Sequence, residues 1–170
     1  METLSLILLG VMPLLVIVGG LSALTTMRIP NWISLALIAG FLPAAFVVGL
    51  PLTQIGIHFG VAFAALLVGM GMFALRWIGG GDAKLMASAC LWLGLQGSGM
   101  FLLYTGLIGG LFCLFLIFAR FQFRAFALVG PGWVNTLMEP KGDIPYGVAI
   151  AVGALMAFPA SPLMVRLIAG

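Results

Sequence analysis

The stretch Gly79-Gly80-Gly81-Asp82-Ala83-Lys84 lies between two long apolar segments, and its reading decides how the rest of the chain is organised. Asp82 is one of four carboxylates in 170 residues, with Glu2, Glu139 and Asp143, and it alone stands where an apolar helix begins. An acid in that place is costly within a membrane, which makes it a functional candidate. The three glycines before it allow close backbone approach and conformations that other residues avoid. Together they suit a site for an extended peptide or for catalysis. The structural alternative is a glycine-rich connection with Asp82 as a helix N-cap.

Working outward, 64% of the residues are hydrophobic, 6% are charged and the mean hydropathy is +1.30. Soluble domains carry about 25% charged residues. The composition therefore predicts an all-α integral membrane protein. The polar segments are too short for a soluble catalytic or nucleotide-binding module, so residues 1–170 read as one membrane-embedded domain. The first apolar run follows Glu2 rather than a basic residue and exceeds the 7–15 residues or so of a signal h-region, so it reads as a retained helix. Cys90 and Cys113 sit in apolar segments, which points to neither a disulfide framework nor a thiolate metal site. No metal, nucleotide or redox cofactor is expected, and no nucleic-acid partner.

Six segments approach the roughly 20 residues that cross a bilayer: residues 4–22, 32–50, 55–75, 83–95, 100–118 and 146–168. Arg28, Arg76, Lys84, Arg120, Arg124 and Lys141 all fall after odd-numbered segments, whereas Pro51-Leu52-Thr53-Gln54 and Gln96-Gly97-Ser98-Gly99 carry no cation. Cytoplasmic loops concentrate Lys and Arg, so six helices are predicted with both termini outside the cytoplasm. Arg166 alone falls near the other face.

Several local expectations follow. Pro13 should kink the first helix unless neighbouring groups satisfy the freed carbonyl, and Asn31, after Pro30, is suited to cap the second. Gly56 and Gly60, and Gly106, Gly109 and Gly110, are spaced for close helix packing. His58 reads as a satisfied histidine near the outer interface, and Tyr146 as an interfacial anchor. Segment 119–145 mixes Phe121, Phe123, Phe126 and Trp133 with Arg120 and Arg124, suited to lie along the headgroups or to cover a site. Glu139, Lys141 and Asp143 read as a solvated cluster. Lys84, two residues past Asp82, points away from it around the helix.

The topology brings residues 23–31 and 79–84 into one layer near the cytoplasmic surface. Peptide hydrolysis there needs two carboxylates, one to activate water and one to donate a proton. Three stretches carry a resemblance: Thr26-Met27-Arg28-Ile29-Pro30-Asn31, Gly79-Gly80-Gly81-Asp82-Ala83-Lys84-Leu85 and Ile144-Pro145-Tyr146-Gly147-Val148-Ala149-Ile150. In this order they resemble a bacterial type IV prepilin peptidase, in the small CpaA-like form of Flp/Tad pilus systems without a methyltransferase region. The resemblance implies an intramembrane aspartyl protease of the GxGD class in the inner membrane. It would cut prepilin leaders at the cytoplasmic face, in contact with membrane lipids and the pilus assembly machinery.

That pattern puts one catalytic aspartate on Asp82 and the other six residues before Ile29, where this chain has Ala23. No acid lies between Glu2 and Asp82 to replace it. The retained pattern elsewhere favours a deliberate substitution over a natural relative that has lost catalysis. Either way the chain is expected to be inactive. Gly79, Gly80, Gly81, Lys84 and Asn31 are the candidate substrate-binding residues. The rival reading is a non-catalytic membrane protein, either a prepilin-binding assembly factor or a small transporter or channel subunit.

Overall fold

The computed structural model describes residues 2–122, 131–139 and 142–169. Every element among them is helical: α1 Glu2–Thr26, α2 Asn31–Val47, α3 Leu52–Ala74, α4 Gly80–Gln122, α5 Gly132–Leu137 and α6 Tyr146–Ala157, then a 3-10 turn Phe158–Ala160 and α7 Pro162–Ala169. Among the described residues four stretches are long and apolar enough to cross a membrane, namely Thr3–Thr26, Leu52–Ala74, Gly80–Gln122 and Tyr146–Ile168; Asn31–Val47 is apolar but shorter. The protein is thus a multi-pass membrane protein by length and composition. Helix α1 continues through Pro13, and α2 through Pro43.

Helix α4 is the frame against which α3 and α6 pack. It is not one rod. Gly94 has φ 62° and ψ −170°, a left-handed backbone that side chains rarely adopt, and the chain turns back there. Ser98 Oγ lies 3.5 Å from the Cys90 carbonyl, although eight residues of straight helix span about 12 Å. Further along, a methyl group placed on Gly97 would meet Ser161, and one placed on Gly109 would meet Ala149 and Tyr146. The second arm of α4 therefore runs antiparallel to α6 and returns to the end of the molecule where Asp82 begins the first.

The sequence reading placed this reversal in a loop at Gln96-Gly97-Ser98-Gly99, but those residues are helical. A loop is unnecessary because the break is satisfied from within. His58 Nδ1 donates to the Leu91 carbonyl at 2.6 Å, and Ser98 reaches the Cys90 carbonyl. These are acceptors that an unbroken helix would have used itself. His58 is satisfied, as expected; it is 2% exposed and stacks on Phe41, with ring centroids 5.3 Å apart, so it is packed inside the protein near the end opposite Asp82. A side chain on Gly94 would collide with its ring.

Close packing elsewhere uses small residues, as expected where apolarity alone brings no association. The pairs, however, are Gly69 with Ala83 and Gly20 with Ala151. Gly56, Gly60, Gly106 and Gly110 face open space; of the glycines chosen by spacing only Gly109 packs, against α6. Spacing marks a small face but not which way it points.

Candidate active site

Asp82 is the third residue of α4. Its Oδ2 accepts the Gly79 N–H at 3.1 Å, the backward half of a capping box. Gly79, not Asp82, is therefore the cap residue, and the carboxylate caps the helix while its Oδ1 remains turned toward α6. There it meets the backbone of Gly147. A methyl group placed on Gly147 would lie 3.2 Å from Asp82 Oδ1, 2.6 Å from Ala23 Cβ and 2.8 Å from Ile29 Cδ1. Residues from α1, the α1–α2 connection, α4 and α6 thus converge on a point that only a glycine leaves open. Ala23 is buried, 2% exposed, and its Cβ and the Asp82 carboxylate lie within 3.2 Å of that same point.

The three glycines before Asp82 differ in what they do. Gly81 lets the α1–α2 connection ride on the start of α4, since a Cβ there would stand 3.0 Å from Ile29 Cβ and 3.3 Å from its carbonyl oxygen. Gly80 lies against the Phe73 ring and Gly79 beneath the Asp82 carboxylate. All three line a cavity of about 740 Å³, with Ala23 and Asp82 at its floor. The first N–H groups of a helix have no intrahelical partner, so those of Gly80, Gly81 and Asp82 are available to a bound peptide.

The walls come from turns that the sequence reading did not find. Met27 after α1 and Arg76 after α3 have φ of 54° and 60°, uncommon for residues with side chains, and both line the cavity. Such strain gathers at functional sites. On the other side stand Gly142, Asp143, Ile144, Pro145 and Tyr146. Tyr146 is thus a wall of the cavity and a packing partner of Gly109. The segment carrying Gly142 and Asp143 is held by Arg120: its Nε donates to the Leu137 carbonyl at 2.9 Å, Nη1 to Gly142 at 2.9 Å and Nη2 to Asp143 at 3.0 Å. The rigid guanidinium fork suits three fixed acceptors. Nothing in the sequence announces this, because backbone carbonyls carry no residue code. Phe123, Arg124 and Phe126, read as covering the site or lying along headgroups, and Lys141 of the solvated cluster are outside the described residues.

Lys84 and Asn31 are not at this cavity. Asn31 is the first residue of α2 and makes no cap; Pro30 precedes the helix, and Asn31 Oδ1 accepts from Lys84 Nζ at 2.9 Å. Both residues line a second, lateral groove on the other side of α4. As expected from the helical spacing, Lys84 makes no pair with Asp82. Among the described residues no three His, Cys, Asp or Glu side chains gather as a metal site would require.

Residues 10–114 match the model of the type IV leader peptidase family, which is more than half of the chain. The chain belongs to this family. No curated protein and no solved structure matches it. The matched span holds Ala23, Asn31, Gly79–Asp82 and Lys84, whereas Gly147, beside Asp82, and Arg120, which holds the Gly142 carbonyl, lie beyond it.

Proposed function

We propose that this protein is the scaffold of a prepilin leader peptidase of the bacterial inner membrane, with its cut site at Asp82 and position 23, and that with Ala23 it holds a leader without cleaving it. The observation that carries the reading is the convergence of Ala23 and Asp82 on the backbone of Gly147. An aspartate at 23 would put a second carboxylate beside the first, and the pair would share a proton. One member would then activate water while the other protonates the departing nitrogen. The prepilin enters extended, and its carbonyls accept from the amides of Gly80 and Gly81 at the start of α4. One carboxylate alone cannot fill both roles.

Six crossings with the site at the cytoplasmic face accompany this reading. Supporting it, α4 doubles back at Gly94, and Arg28, Arg76, Lys84 and Arg120 gather at the Asp82 end while Arg166 reaches the Gly49 carbonyl at the other. Asp143 also lines the cavity, which makes it, among the described residues, the rival source of a second acid. The assignment to Flp/Tad-type prepilins rests on the three sequence stretches and is tested by which prepilin is cut.

The test is leader removal from a co-expressed prepilin. The chain as it stands is expected to leave the leader on, Ala23→Asp to remove it, and Ala23→Asp with Asp82→Asn to leave it on again. Cleavage by the unaltered chain that Asp143→Asn abolishes overturns the assignment of position 23. The lone acid also favours a second reading, a prepilin-binding factor that never cleaves, and this predicts no cleavage by Ala23→Asp for any prepilin.

A further inference from the structure

We propose that the lateral groove between α2, α3 and α4 is a binding site for one anionic phospholipid, its phosphate at Lys84, its ester at Ser34 and an acyl chain along Phe59, Ala62, Phe63 and Leu66. The groove has a volume of about 450 Å³ and is polar only near one end. At that end the Lys84 ammonium meets Asn31 Oδ1 at 2.9 Å and, among the described residues, no carboxylate. Lys84 is exposed, and a cation left uncompensated at headgroup depth attracts anionic lipid.

Ser34 supplies the second observation. It lies one helical turn beyond Asn31, about 4.5 Å deeper. It lines the groove at 7% exposure, and among the described residues its hydroxyl has no hydrogen-bond partner. Ser88, its counterpart one turn beyond Lys84, is already satisfied through the Lys84 carbonyl at 2.7 Å. A buried hydroxyl without a partner in an apolar wall calls for an acceptor on the ligand. The order along the groove, cation then hydroxyl then apolar walls, is the order of phosphate, ester carbonyl and acyl chain in a phospholipid. The proposal does not depend on the prepilin reading and needs no catalysis for its test.

The purified full chain, exchanged in detergent against phosphatidylglycerol, phosphatidylcholine of matched chains or inorganic phosphate, is read by native mass spectrometry. One phosphatidylglycerol should be retained in preference to phosphatidylcholine, and inorganic phosphate should not be retained. Lys84→Gln should lower phosphatidylglycerol retention about fivefold, to the phosphatidylcholine level, in line with the usual attraction of one cation at the surface. Ala62→Trp, which fills the groove, should remove both lipids. Should Ala62→Trp fail to fold, Ser34→Ala, which removes the hydroxyl and adds no bulk, should weaken both lipids alike. Equal retention of the two lipids by the unaltered chain, or unchanged retention in Lys84→Gln, overturns the proposal. So does a photoreactive residue at Phe63 that cross-links a prepilin helix and no lipid.

Discussion

Ala23 and Asp82, fifty-nine positions apart, face each other across the backbone of Gly147, with the Ala23 Cβ and the Asp82 Oδ1 both within 3.2 Å of where a Gly147 methyl group would stand. This relationship puts position 23 at the cavity that Asp82 lines, although its present side chain has no chemistry. It also fixes what a change there should do.

On the proposed function, the unaltered chain should leave prepilin leaders intact and Ala23→Asp should remove them. Positioned acid and base groups contribute roughly 10²–10⁴-fold each. Adding Asp82→Asn to Ala23→Asp should therefore lower the single-turnover rate by about that factor, measured by gel shift of a purified prepilin in detergent.

Gly147→Ala should damage both fold and site. Its methyl group would overlap Ala23 Cβ at 2.6 Å and Ile29 at 2.8 Å, and overpacking of this kind costs about 1–3 kcal/mol. A lower unfolding temperature is expected, together with loss of cleavage when Gly147→Ala is placed in the Ala23→Asp background. An unchanged melting curve in detergent would show that α6 is free to move away.

At the opposite end of the molecule, His58 and Gly94 should behave as a unit. His58→Leu leaves the Leu91 carbonyl without its donor inside the core, for an expected loss of about 1–3 kcal/mol. Gly94→Ala adds a side chain at φ 62° and 2.7 Å from the His58 ring, for a further strain of about 1–3 kcal/mol. Since they share one contact, the double variant should lose less than the two single losses combined, as a double-mutant cycle in thermal unfolding would record.

Arg120→Lys should loosen the far wall of the cavity. A lysine ammonium cannot reproduce a fork that meets the carbonyls of Leu137, Gly142 and Asp143 at once. Hydrogen exchange over residues 137–146 should accelerate while exchange in α1 and α3 stays as it was. In the Ala23→Asp background the cost should fall on prepilin affinity more than on the rate of a bound leader. Equal exchange in the two proteins would remove Arg120 from the account.

By itself the sequence determined the membrane class, the helical content and the grouping of basic residues at one end. These follow from composition and from the cost of burying charge in lipid, which act on each segment separately. It also singled out Asp82, because an acid opening an apolar helix is conspicuous on the sequence alone. The tertiary structure decided everything that depends on which way a side chain faces. Gln96-Gly97-Ser98-Gly99 resembles a loop and is helix, because one glycine at positive φ, with His58 and Ser98 on the released carbonyls, turns the chain more economically. Asn31 resembles a cap and instead holds Lys84 away from the cavity, and Gly147 resembles any helical glycine until α1 and α4 arrive on either side of it. Contacts between segments far apart in sequence leave no mark on local pattern, so the place where Ala23 meets Asp82 exists only in the packed molecule.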